Sequence, residues 1–239
     1  MDPDVHAAAC RRNGEDGYGY VEAIFLYAFV RTFRPARVVQ VGCGVSTAVM
    51  LAAAFDAGTT LRITCIDPYP TSFLHDASRA GEIELIEGPA QRFVQEAASS
   101  LAAGDLVFVD STHTVMPGSE VNLIILDVLP RLAPGVFVHF HDITFPYDYQ
   151  RKLLKGNLFC QAESTLLHAF LSCNDRYEFL ASLSMLHYAA RTELQGLIPS
   201  YRPGGDDEGL ETTPGHFPSA LYMRRLAEGN QTRRSAGAW

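Results

Sequence analysis

"VVQVGCGVSTAVML", residues 38–51, decides the fold. An apolar run meets Gly42-Cys43-Gly44, and small and apolar residues follow without a break. Glycine tolerates tight turning and close backbone approach, so the stretch reads as a buried strand, a turn and the start of a helix. A helix that begins on a glycine turn points its unpaired N–H groups outward, which is a place for a ligand.

The same alternation continues on both sides. Residues 18–33 have a helical pattern that ends before Pro35, because a residue preceding proline avoids the helical region. Strands are expected at 36–42, 61–67, 82–88, 105–110 and 135–142, with helices at 46–58, 72–80, 89–104 and 119–132 between them. Ser119 is the candidate N-cap of the last of these. The strands are near-continuous apolar runs, the pattern of a parallel sheet buried on both faces. The class is therefore α/β, a doubly wound, mostly parallel sheet with helices on both faces. A helix at 162–172, a strand at 177–184 and a last edge or antiparallel strand at 219–226 follow. Residues 1–17 read as a flexible N-terminal arm, 18–226 as one domain with a helical cover, and 227–239 as a disordered tail.

A net charge of −8 and a pI of about 5.4 offer no basic footprint for nucleic acid. The 5 cysteines are scattered without a C-x-x-C pair, as free thiols of a reducing cytoplasm would be. The apolar run in 20–30 is too short to span a bilayer and contains Glu22. A small-molecule partner in the cytoplasm is expected, with homo-oligomerisation left open.

Asp67 closes the second strand, 25 residues after Gly42, where a carboxylate can accept the two hydroxyls of a ribose. A dinucleotide site wants a third glycine, and Thr47 stands there, with Ser46 beside it. A nucleoside without a pyrophosphate fits better.

With these motifs in place the chain resembles the class I S-adenosylmethionine-dependent methyltransferases, in particular small-molecule O-methyltransferases of secondary metabolism. "VVQVGCGVSTAVMLAAA" resembles the first motif of that family, "ITCIDPY" the second with Asp67 as ribose acid, and "GDLVFVDSTH" the fourth. "LIEGPAQRF" occupies the place of the adenine-contacting segment, where only Gln91 offers a side chain. "LPRLAPGVFVHFHDI" resembles the turn and fifth strand. The resemblance implies a seven-stranded sheet in the order 3-2-1-4-5-7-6 with strand 7 antiparallel. It also implies S-adenosylmethionine as cofactor, held by Gly42, Gly44, Ser46, Thr47, Asp67 and Gln91. Gln40 replaces the acid that usually supports the cofactor's amino-acid end.

Ligands of an open α/β sheet bind beyond the carboxyl ends of its strands. Asp110 and His113 would meet His141 and Asp142 there, since strands 4 and 5 are neighbours in the implied order. His139 lies one step deeper and reads as a core histidine. Two chemistries suit the group. Asp110, His141 and Asp142 could hold a divalent cation, where oxygen donors favour magnesium or calcium and imidazole shifts the preference toward manganese, iron or zinc. Alternatively His113 or His141 is a general base for a substrate hydroxyl, with Asp110 close to the transferred methyl. The aromatic stretch at 145–149 would wall the acceptor, or pack on the N-terminal helix, and Glu22 would cover the cofactor. The expected activity is methyl transfer to a hydroxyl of a small organic acceptor. The rivals are a nicotinamide-dependent oxidoreductase and a non-catalytic cofactor-binding module.

Overall fold

The computed structural model describes residues 4–150, 161–205, 209–211, 213 and 216–227. The expected tail from 228 onward, Cys160, and the acids at 206–208 lie outside the described residues.

Seven strands form one sheet in the order β3-β2-β1-β4-β5-β7-β6. They are β1 (Arg37–Val41), β2 (Arg62–Asp67), β3 (Glu84–Glu87), β4 (Leu106–Val109), β5 (Phe137–His141), β6 (Tyr177–Ser182) and β7 (Ala220–Arg225). β1 to β5 pair in parallel, and β7 runs antiparallel to β5 and β6. Because side chains alternate, each central strand feeds two cores. Val38 and Phe108 enter one cluster, while Val39, Val107 and Val109 enter the other. The apolar runs are needed on both faces.

α1 (Val5–Asn13), α2 (Tyr20–Phe33) and α3 (Val45–Asp56) bury residues in the first cluster. α5 (Ala90–Ser99), α6 (120–131) and α7 (Glu163–Ser172) cover the second. α4 (Ser72–Arg79) joins β2 to β3. α6 begins at Glu120–Leu123, widens into a π-helical stretch at Ile124–Val128 and ends at Leu129–Arg131. Ser119 caps it, its hydroxyl accepting from the Asn122 amide at 3.2 Å.

Two expectations need correction. Residues 5–13, read as a loose arm, are helical, because Val5 and Ala9 are buried in the first cluster and that contact outweighs the polar composition around them. The strand expected at 177–184 stops at Ser182, where α8 (Leu183–Ala189) begins, and α9 (Arg191–Leu197) follows. Among the described residues no helix is long and apolar enough to cross a membrane.

Candidate functional site

The glycine turn joins β1 to α3 with φ of 75° at Gly42 and 148° at Gly44, values that favour glycine. A Cβ on Gly42 would fall 1.7 Å from the carbonyl oxygen of Asp110. The turn and the end of β4 are thus pressed together, and the two halves of the site share one edge. A Cβ on Gly44 would meet the Asn13 amide at 3.3 Å, and Asn13 in turn accepts from the Thr71 hydroxyl. Helix α1 therefore ties the turn to the loop after β2.

Asp67 closes β2 with each oxygen on a backbone amide, from Cys43 at 3.0 Å and from Tyr69 at 2.8 Å. Its carboxylate is aimed by the turn itself and keeps the remaining lone pairs of both oxygens. Gln91, at the start of α5, donates to Glu120 at 3.2 Å, and Glu120 also accepts from Thr112. It fastens α5 to the loop after β4.

Gln40, Ser46 and Thr47 are placed differently from the expectation. Gln40 and Thr47 are 0% exposed and Ser46 is 3%, so their side chains offer almost no surface to a cofactor. The Gln40 amide donates to the Gly42 carbonyl and the Ser46 hydroxyl, and its oxygen accepts from Thr47. Thr47 also accepts from the Gly44 amide. These three side chains brace the turn from beneath. A neutral amide serves here because it both donates and accepts, which a carboxylate does not.

At the carboxyl edge, Val109 pairs with Phe140, so the next residues along, Asp110 and His141, stand side by side. His141 Nδ1 is 3.1 Å from Asp110 Oδ1. His113 turns back at φ 57° and Asp142 at φ 53°. Such values in non-glycine residues are strained and concentrate where a side chain must be aimed. His113 Nε2 lies 3.5 Å from Asp110 and 3.6 Å from Asp142, and His141 Nδ1 lies 3.7 Å from Asp142. Asp110, His113 and His141 each offer one donor atom within 4.8 Å of the others. The expected group is assembled, and His113 is more central to it than the trio Asp110, His141 and Asp142 implied.

One member went unseen in the sequence. Glu163, 1% exposed on the first turn of α7, meets His113 Nδ1 at 2.7 Å. An acid at a helix start ordinarily reads as a complement to the helix dipole, so nothing local marked it.

The charges shape one another. Burial works against a charged His113, but its bonds to Asp110 and Glu163 and the field of Asp142 push it up to about 11. Burial also opposes His141, and Asp110 and Asp142 push it up to about 10. Burial would raise Asp110, yet His141 and His113 hold it well below the usual carboxylate range. Burial lifts Glu163, and His113 only partly offsets that. His139 is the contrast, since burial and the nearby His141 drop it to about 3. Stacked on Phe108 at 4.4 Å and fully buried, it is a neutral core residue.

The aromatic stretch packs internally. Phe145 stacks on Phe179 and meets His168, while Tyr147 meets Tyr188. Glu22 lies beneath the cluster with no exposed surface, so it covers nothing.

Residues 39–143 match a family model described as "Methyltransferase domain". No curated protein sequence matches the chain. Solved structures with the same fold include an O-methyltransferase from Bacillus cereus in complex with S-adenosylhomocysteine, with TM-score 0.57 and 10% identity over 95% of this chain and 92% of that one. A Streptomyces achromogenes O-methyltransferase involved in tomaymycin synthesis, bound to S-adenosylmethionine, has TM-score 0.56 and 12% identity over 95% and 92%. A Podospora anserina methyltransferase bound to S-adenosylhomocysteine has TM-score 0.53 and 14% identity over 94% and 89%. The matched segment runs from within β1 to just past β5, and with the sheet in the order its motifs implied, the chain has the fold of the class I methyltransferases.

Proposed function

We propose that the protein transfers the methyl group of S-adenosylmethionine to a hydroxyl of a small organic acceptor, with a divalent cation held at the end of β4 and β5. One observation carries this reading: three carboxylates and two imidazoles converge at that edge, against the turn that Gly42 and Gly44 form. The sulfonium of the bound cofactor supplies an already activated methyl group, so the protein mainly aligns and removes a proton. Gly42 and Gly44 give the cofactor backbone clearance, and Asp67 takes the ribose hydroxyls on its remaining lone pairs. Gln91 is the adenine-side contact. The Bacillus and Streptomyces enzymes, with S-adenosylhomocysteine and S-adenosylmethionine bound, support the cofactor.

The donors fit a cation. Asp110, His113, His141 and Asp142 would hold it, with Asp110 and Asp142 the two whose side chains are most open, at 21% and 45%. Glu163 on His113 Nδ1 is the outer carboxylate that fixes which ring nitrogen faces inward. A mixed oxygen and imidazole set favours manganese or iron over magnesium. Such an ion lowers the pKa of a substrate hydroxyl. Without it the surrounding carboxylates raise both imidazoles, which disfavours either as a general base.

The test is a calorimetric titration of S-adenosylhomocysteine into chelator-stripped protein, with and without manganese. Binding of the nucleoside together with saturable heat from manganese is expected. Nucleoside binding with no manganese heat would return His113 and His141 to the role of bases. No binding at all would remove the methyl-transfer reading.

A further inference from the structure

Glu22 is a carboxylate with 0% exposure in the first turn of α2. Its Oε1 accepts from the Ser219 amide at 2.9 Å, and Oε2 meets His216 Nε2 at 3.2 Å. The backbone makes room for this pair. A Cβ on Gly19 would fall 2.1 Å from Glu22 Oε2 and 2.3 Å from His216 Nε2. Ser219 leads onward from the pair. Its carbonyl accepts from the Ile143 amide at 3.1 Å, and its hydroxyl donates to Asp142 Oδ1 at 3.0 Å. The other Asp142 oxygen faces His113 and His141. Asp142 is strained at φ 53°, so something must hold it there.

An ion pair with its carboxylate fully buried is a poor source of stability, since apolar residues of the same volume often do as well or better. The pair does make one connection that apolar residues would not make: it fixes Ser219, whose hydroxyl fixes Asp142. We infer that Glu22 and His216 are positioning residues, which hold Asp142 against His113 and His141 through Ser219. The inference deepens the cation reading and rests on Asp142 serving that site.

The experiment is a double-mutant cycle with manganese alone as the probe, read by electron paramagnetic resonance of the free ion in chelator-stripped protein. Ser219→Ala and Glu22→Leu are each expected to weaken manganese about tenfold, the lower range for a group that supports a metal ligand. The double variant should be no weaker than Glu22→Leu, because the two act along one path. Glu22→Gln keeps an acceptor for the Ser219 amide and should restore most of the affinity. Effects that multiply, or a Glu22→Leu protein that binds manganese like wild type, overturn the inference. If Glu22→Leu does not fold, His216→Ala takes its place in the cycle.

Crystal structures of the metal-free variants separate this inference from the cation reading. Wild type that fails to bind manganese removes the cation but leaves the geometry to be judged. Asp142 turned away from His113 in Ser219→Ala and in Glu22→Leu supports the positioning role. Asp142 unmoved in both overturns it.

Discussion

His113 Nδ1 and Glu163 stand 2.7 Å apart, 50 residues apart in sequence, and this contact turns His113 Nε2 toward Asp110 and Asp142. A helix that follows the sheet's central strands thereby sets the orientation of a ring at the end of β4. Replacing Glu163 by Gln keeps its size and an acceptor for Nδ1–H but removes the charge. A hydrogen bond to a charged group is worth roughly 1.5–3 kcal/mol, so the His113 titration should fall by about one to two pH units from about 11. Nitrogen-15 spectra of labelled histidines would show it. An unchanged titration would mean that Asp110 and Asp142 hold the proton by themselves.

The metal-free protein should have a stability maximum at mildly acidic to neutral pH. His113 and His141 have folded values raised to about 11 and about 10, above the ordinary 6.5. Their contribution is complete below 6.5 and is lost as pH rises toward 10 and 11. His139 and His187 are lowered to about 3 and about 4, so their unfolded forms take up protons first and stability falls below 6.5. Asp110, held low, loses its contribution as pH falls below the ordinary carboxylate value of 3.8. Urea melts from pH 4 to pH 10 would trace the dome, and His139→Phe should lessen its acid limb. A stability that keeps rising up to pH 10 would contradict the two raised histidines.

Gly42→Ala should disrupt turn and cluster together. The added Cβ would fall 1.7 Å from the Asp110 carbonyl oxygen, a backbone atom, at a φ of 75°. A loss of at least about 2 kcal/mol is expected, or roughly 5 °C in Tm for a chain of this size. Scanning calorimetry measures the loss, and S-adenosylhomocysteine affinity should fall with it. Gly58→Ala is the comparison. Its φ is 62°, but nothing lies within 4 Å of the added Cβ, so only the strain remains.

Asp67→Ala should separate cofactor binding from the cluster. Two carboxylate hydrogen bonds to ribose hydroxyls are worth about 3 kcal/mol together, so the Kd for S-adenosylhomocysteine should rise about a hundredfold. Manganese affinity should stay near that of wild type, because Asp67 closes β2 and takes no part in the His113 cluster. A parallel loss of manganese would show that the turn transmits the damage to Asp110 through Gly42.

The sequence by itself determined a buried, mostly parallel sheet, and the family its motifs resemble implied the strand order. Val38, Val39, Phe108 and Val138 lie in strands whose apolar residues feed one core or the other, and such runs admit few alternatives. With that implied order, Asp110, His113, His141 and Asp142 were expected to meet, since neighbouring parallel strands end at the same edge. Tertiary structure alone decided which side chains could touch a ligand. Gln40, Ser46 and Thr47 carry the right chemistry at the right spacing, yet they spend it on one another under the turn. Glu163 and the Glu22–His216 pair have no local signature, because their partners come from 50 and 194 residues away. Periodicity reports which face of an element is buried. The partner of a buried charge depends on how the elements pack, and only the folded chain brings the two together.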